Sequence, residues 1–120
     1  MAQDENLYPR LRQLCLSLPE ARETETFGNP TFRAGKKTFA VLDQYRGERC
    51  ICFKATLAEQ RRLCRDPRFF VAPYVGKHGW TCLRVRGKLR WKEVEKLLVE
   101  SYHQVALKRM ITALPAGKRG

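Results

Sequence analysis

No stretch of this chain approaches the roughly 20 apolar residues that a membrane-crossing helix needs. The opening run Met1-Ala2-Gln3-Asp4-Glu5-Asn6 is polar and acidic, where a signal peptide carries positive charge and then an apolar segment. A cytoplasmic protein without a membrane role is the expectation. Histidine occurs only twice, as His78 and His103. P-loop, dinucleotide-binding glycine pattern, serine-hydrolase elbow and metalloprotease helix are all absent from the sequence. The five cysteines, Cys15, Cys50, Cys52, Cys64 and Cys82, form an odd set with no paired C-x-x-C spacing. They read as reduced thiols packed as small hydrophobes, so neither a metal nor a cofactor is expected. Cys50 and Cys52 stand two apart in a strand-like run and share a face. With His78 and Cys82 they would make a four-ligand set, but the spacing is not that of structural zinc.

Acids are scarce, 12 Asp and Glu against 24 Lys and Arg, for a formal net charge of +12. The excess is uneven: residues 1–30 are net −2, residues 61–90 net +8, and the two remaining thirty-residue blocks net +3 each. A field of that sign favours nucleic acid, an anionic membrane or an acidic protein. Inside the basic peak lies Ala72-Pro73-Tyr74-Val75-Gly76-Lys77-His78-Gly79-Trp80. Pro73 removes a backbone donor, and the two glycines open conformations closed to other residues. This segment therefore reads as an irregular connection of defined shape that presents aromatic and cationic groups.

At 120 residues the chain makes one domain able to bury a core without disulfides or metals. Leu7, Leu11, Leu14 and Leu18, with Cys15, form one apolar stripe that predicts a helix from about Asp4 to Ser17. Strands follow at Thr24 to Phe27, Thr31 to Ala34, Lys37 to Gln44 and Arg49 to Lys54. Turns are expected at Gly28-Asn29-Pro30, Ala34-Gly35-Lys36 and Arg46-Gly47-Glu48. Thr56 and Glu59 fit a capping box at the start of a second helix that ends at Asp66-Pro67. Two short strands, Phe69 to Ala72 and Trp80 to Arg86, flank the irregular segment. A third helix begins near Trp91, carries Val94, Leu97, Leu98, Tyr102 and Val105 on one side, and ends before Pro115. Residues 116–120 lack apolar periodicity and read as a mobile basic tail. The order, helix, about three strands, helix, about two strands, helix, predicts an α+β fold of two layers, one antiparallel sheet covered by helices.

Catalysis has poor candidates. His78 beside Lys77 suits a phosphate contact better than a general base, and His103 sits mid-helix in a surface or packing role. Nucleic-acid contact asks only for cations, backbone donors and aromatic faces. Candidate contacts are Arg33, Lys36 and Lys37 at one hairpin tip, Arg84, Arg86, Lys88 and Arg90 at another, and Tyr74, Lys77, His78 and Trp80 in the loop between. Trp80 is large enough to be a core plug instead of a stacking surface. A rival reading is a protein-binding adaptor whose sheet and longest helix form a homodimer or meet an acidic partner. A third is an enzyme with a pocket beneath the Gly76–Gly79 loop.

Four stretches carry a family resemblance: Leu16-Ser17-Leu18-Pro19-Glu20; Phe27-Gly28, Pro30-Thr31-Phe32 and Lys36-Lys37-Thr38-Phe39; Phe69 to Trp80 with its APY-x-GK-x-GW core; and Glu100-Ser101-Tyr102. Together they resemble the MmcQ/YjbR family of small bacterial proteins over roughly residues 7–109. The resemblance implies an α-β(3)-α-β(2)-α fold like that of secretion chaperones, grouped with CyaY-like proteins. It also implies a "double wing" DNA-binding role and no recognised catalytic residues.

Overall fold

The computed structural model describes residues 6–119, so Asp4 and Glu5, expected to open the first helix, lie outside the described residues. Helix α1 (Leu7–Leu16) leads into four strands, β1 (Ala21–Thr26), β2 (Asn29–Ala34), β3 (Lys37–Tyr45) and β4 (Glu48–Lys54). Helix α2 (Leu57–Leu63) and strands β5 (Phe69–Val71) and β6 (Trp80–Arg84) follow, then α3 (Trp91–Val105) and α4 (Lys108–Thr112). All six strands form one antiparallel sheet in the order β1-β2-β3-β4-β6-β5. The α+β class and single sheet match the sequence reading, and each of the four strand segments read before the second helix is present, although the expected order counts about three.

Turn chemistry moves the first hairpin's boundary. Asn29 and Pro30, expected to interrupt the chain, belong to β2, and the reversal is made by Phe27 and Gly28 alone. Both take positive φ, 51° and 81°, as do Arg46 and Gly47 at 53° and 79°. Two-residue turns of that hand match the twist of the strands they join. Pro30 pairs only toward β1, because register with β3 begins at Thr31. A residue without an N–H is tolerated where one ladder is absent.

All four helices put buried apolar side chains into one core on one face of the sheet. Leu7, Leu11 and Cys15 of α1 and Val94, Leu98 and Tyr102 of α3 meet Phe32, Leu42, Ile51, Phe53 and Leu83 there. The β2–β3 register slips between Phe32, opposite Ala40, and Arg33, opposite Thr38. That bulge leaves Phe39 without a partner, and Phe39 joins Ala40 in the core. Its ring meets Tyr102 edge to face at 5.5 Å. Its carbonyl accepts the Ser101 hydroxyl at 2.6 Å, while Ser101 Oγ in turn accepts the Lys54 N–H at 2.8 Å. Tyr102 donates to the Pro19 carbonyl at 2.7 Å and so also ties α3 to the end of the first helical connection.

Three further expectations are corrected. Thr56 accepts the Glu59 N–H at 3.1 Å, but the Glu59 carboxylate turns to Arg62 instead of reaching back, so only half of the capping box forms. The third helix stops at Val105, well short of Pro115. Continued in α-geometry, the stripe through Tyr102 and Val105 would next bring Lys108 and Arg109 onto the core face. Extended backbone at Ala106 and Leu107 re-aims the chain so that Met110 and Leu114 enter the core and Arg109 pairs with Glu20. Residues 116–118 form a 3₁₀ turn against α3: the Lys118 carbonyl lies 2.7 Å from His103 Nε2, its ammonium 3.0 Å from Glu95. The segment read as a mobile tail thus has partners on α3.

Ser101→Ala leaves two buried backbone groups unpaired and is expected to cost about 2–4 kcal/mol, against about 1 kcal/mol for Tyr102→Phe. Urea unfolding with an unchanged denaturant slope measures both. Equal, small losses would show that the bulge does not need the hydroxyl.

Candidate nucleic-acid interface

With the helices on one side, the opposite face of the sheet is built from strand side chains alone. Alternation places Arg22 and Thr24 of β1 on it, then Thr31 and Arg33 of β2, and Val41, Asp43 and Tyr45 of β3. Cys50, Cys52 and Lys54 of β4, Trp80, Cys82 and Arg84 of β6, and Phe70 of β5 complete it.

One group of cations lies where β2 turns into β3. Arg22 and Arg33 stand directly opposite each other across β1 and β2. Arg22 Nε donates to the Gly35 carbonyl at 3.0 Å. Arg33 donates to the Lys36 carbonyl at 3.0 Å and to Thr24 Oγ1 at 3.1 Å. Both guanidiniums are thus anchored on neutral oxygens. Exposed Lys36 and Lys37 complete the turn. Sequence reasoning named Arg33, Lys36 and Lys37 and missed Arg22. Its signal was register: once the turn is Phe27-Gly28, counting outward pairs residue 22 with residue 33.

The irregular segment lies at the same end, because Trp80, where β6 begins, pairs with Lys54, where β4 ends. Its glycines are dictated by close packing. A Cβ on Gly79, at φ +96°, would sit 1.9 Å from the Ala55 carbonyl oxygen, and one on Gly76 2.1 Å from Val71 Cγ1. Gln60, itself buried, donates to the carbonyls of Gly76 and Trp80 at 3.0 Å each. The positions that a side chain on either glycine would take are therefore already occupied, by Ala55 and by Val71. Tyr74, held at φ +68°, is 96% exposed, and Lys77 and His78 are exposed beside it. Trp80 is half-buried on the open face, packed over Cys50, Cys52, Ala72 and Cys82, so it serves as a cover for that cluster and not as a plug of the main core.

Arg84 closes the other end of β6, about 13 Å along the strand from Trp80 at 3.3 Å per residue, and Arg86, Lys88 and Arg90 lie beyond it. The eleven candidate contacts therefore form two groups and not one patch. Arg84 and Arg86 both pair with Glu48, and the hydrogen bond from Arg86, then that from Arg84, holds the Glu48 carboxyl below the usual range. Arg84 also lies over the Phe70 ring at 4.6 Å and donates to the Pro67 carbonyl. Near this end the Phe27 ring projects fully exposed from its turn, a second aromatic at positive φ that sequence reasoning left unassigned. A bulky residue ahead of glycine in a two-residue turn was its signal.

Between the two groups sit the thiols. The sulfurs of Cys50, Cys52 and Cys82 all lie within 4.8 Å of one another, while His78 stays outside the group. Hydrogen bonds from Cys52 and Cys82 push the Cys50 thiol down, and burial pushes the Tyr45 hydroxyl up.

The sequence model of the YjbR family matches residues 16–104, three-quarters of the chain and all six strands of the sheet. The chain belongs to the YjbR family. A crystal structure of protein DR2400 from Deinococcus radiodurans, whose domain is classed as DUF419, superposes with a TM-score of 0.69 at 20% identity. The overlap covers 91% of this chain and 82% of that one, and at this identity it speaks for the fold. None of the curated proteins matches the chain. Among the described residues no helix is long and apolar enough to cross a membrane.

Gly79→Ala, which meets a backbone carbonyl, is expected to cost about 3 kcal/mol or more. Gly47→Ala, at positive φ in open space, should cost only about 1–2 kcal/mol. Urea midpoints of the two variants check this, and a mild Gly79→Ala would mean that the loop is not packed onto Ala55.

Proposed function

We propose that this YjbR-family chain is a non-enzymatic module that grips the phosphate backbone of DNA with little base specificity, using the β2–β3 end of its open sheet face. The observation that carries the reading is the Arg22–Arg33 pair. Like charges directly opposite on a sheet destabilise it, yet these two are held in place by carbonyls, with Lys36 and Lys37 added at the same turn. Two anchored guanidiniums and two exposed ammonium groups thus gather at this end with no carboxylate paired to them among the described residues, and successive phosphates would supply the anion. Tyr74 and Trp80, with Lys77 and His78, flank that end and offer ring faces to an unpaired base. Such contacts position the duplex without reading sequence.

Neutralising four phosphates gives log affinity a slope against log salt of about −3.6 on duplex DNA. Fluorescence anisotropy with a labelled oligonucleotide across a salt series measures it. Arg22→Ala and Arg33→Ala should each flatten the slope by about 1, while Lys88→Ala, at the other group, leaves it unchanged. A flat response in the parent chain, no binding at low salt, or equal effects from both groups would defeat the proposal. Trp fluorescence quenched by single-stranded oligonucleotide in the parent and unquenched in Trp80→Phe supports contact at the ring.

A second reading rests on the groove of about 770 Å³ between α2, α3 and the end of β4. Phe53, Leu63 and Leu97 lie along it, and Glu59, Lys92, Glu95, Lys96 and Glu100 alternate in sign around it. That mixture suits a protein segment, as an adaptor requires. A partner that co-purifies through nuclease treatment and is lost in Leu97→Arg favours this second role.

A further inference from the structure

We propose that Cys50, Cys52 and Cys82 form a three-thiolate site for a soft d¹⁰ cation, Cu(I) or Zn(II), set in the open face of the sheet. Cys52 and Cys82 are direct cross-strand partners on β4 and β6, and Cys50 lies two residues along β4 on the same face. The Cys50 and Cys52 sulfurs are 3.7 Å apart, and all three fall within 4.8 Å of one another. A metal–sulfur bond of about 2.3 Å places thiolates about 3.8 Å apart in tetrahedral geometry and about 4.0 Å apart in a trigonal plane. The observed spacings bracket both. Soft sulfur ligands select Cu(I) and zinc over magnesium, calcium or manganese.

The surroundings fit a site better than a packing filler. In the main core, Leu, Ile, Val and Phe fill most buried positions, and Cys15 is its one fully enclosed cysteine among the described residues. The second cluster has the opposite make-up, with three thiols and Ala72 as its fully buried members. Val41, Tyr45, Phe70 and Trp80 cover it as half-buried side chains. Because no helix forms that cover, rotation of a side chain gives an ion a way in, while the apolar rings keep water from a bound one. A +1 or +2 ion also offsets the negative charge of thiolates that would otherwise be buried unpaired. Binding displaces thiol protons, so affinity falls as pH is lowered.

Reduced, metal-stripped chain is titrated with Zn(II) against a chromophoric chelator, and anaerobically with Cu(I) against a Cu(I)-selective one. One equivalent of at least one ion per chain is expected, with a higher Tm in its presence. Cys50→Ser, Cys52→Ser and Cys82→Ser should each lower affinity by about 100-fold or more, beyond the 10–100-fold typical of losing a residue that only supports a ligand. Cys64→Ser, away from the cluster, should leave it unchanged. Should a variant fail to fold by circular dichroism, the parent chain still decides: bound metal should protect these three thiols, and not Cys64, from alkylation read by mass spectrometry. Loss of both ions to a weak chelator, affinity unchanged in all three variants, protection of other thiols, or oxidation to a Cys52–Cys82 disulfide in place of metal uptake would overturn the site. None of these readouts depends on DNA binding.

Discussion

Ser101 makes two short hydrogen bonds to two different strands, and the division of this molecule into a covered and an uncovered face follows from them. A β-bulge turns an extra side chain to one side and leaves its backbone groups without a ladder partner. Here the extra residue is Phe39, turned toward the helices, and its carbonyl would be stranded in the core without the Ser101 hydroxyl. Ser101 Oγ also accepts the Lys54 N–H, where β4 hands over to α2. One side chain on α3 thereby fixes the bulge, the exit of β4 and the depth at which α3 lies on the sheet. Tyr102, the next residue, locks against the Phe39 ring and the Pro19 carbonyl.

Consequences run to the other side of the sheet. The bulge keeps Phe32, Ala40 and Leu42 in the core while Arg33 and Val41 face outward. Burying every helix stripe on one face leaves the second with aromatics, thiols and cations that no helix shields. An uncovered sheet face needs its own small cluster to stay dry at the centre, and the rings over the three cysteines provide one. Charge is then excluded from the middle and collects at the two ends of the strands. That is why the cations separate into the Arg22–Lys37 group and the Arg84–Arg90 group.

Much of this was legible in the sequence, and the limits have physical causes. Turn residues and leucine stripes are local signals, so the hairpins, α1 and the sheet could be placed within a few residues. The end of α3 was not legible from breakers, since no glycine or proline marks Ala106; it follows from asking which face Lys108 and Arg109 would occupy. Arg22 was legible only through the register of a turn whose position was misjudged by one or two residues. Cys50 and Cys52 share a face by parity alone, but the arrival of Cys82 beside them depends on β6 pairing with β4 across α2, β5 and a loop, and spacing carries no trace of that. Summed charge, likewise, identified a basic chain without saying that topology would divide its peak.

Trp80 is the residue through which the two proposed roles of the open face meet. Its carbonyl is held by Gln60, which also holds Gly76, so its backbone moves with the loop that presents Tyr74, Lys77 and His78. Its ring, meanwhile, covers the thiols. A cation drawn in among the sulfurs would tighten the cluster under that ring, and a base stacked on the ring would press it onto the same cluster. Were both to favour the same position of Trp80, each ligand would bias the other, since a ligand that prefers one position of a shared element favours any other ligand that prefers it too. Coupling of this kind needs no contact between nucleic acid and metal. It needs only the close packing at Gly76 and Gly79, which prevents the loop from yielding independently of the strand that carries the ring.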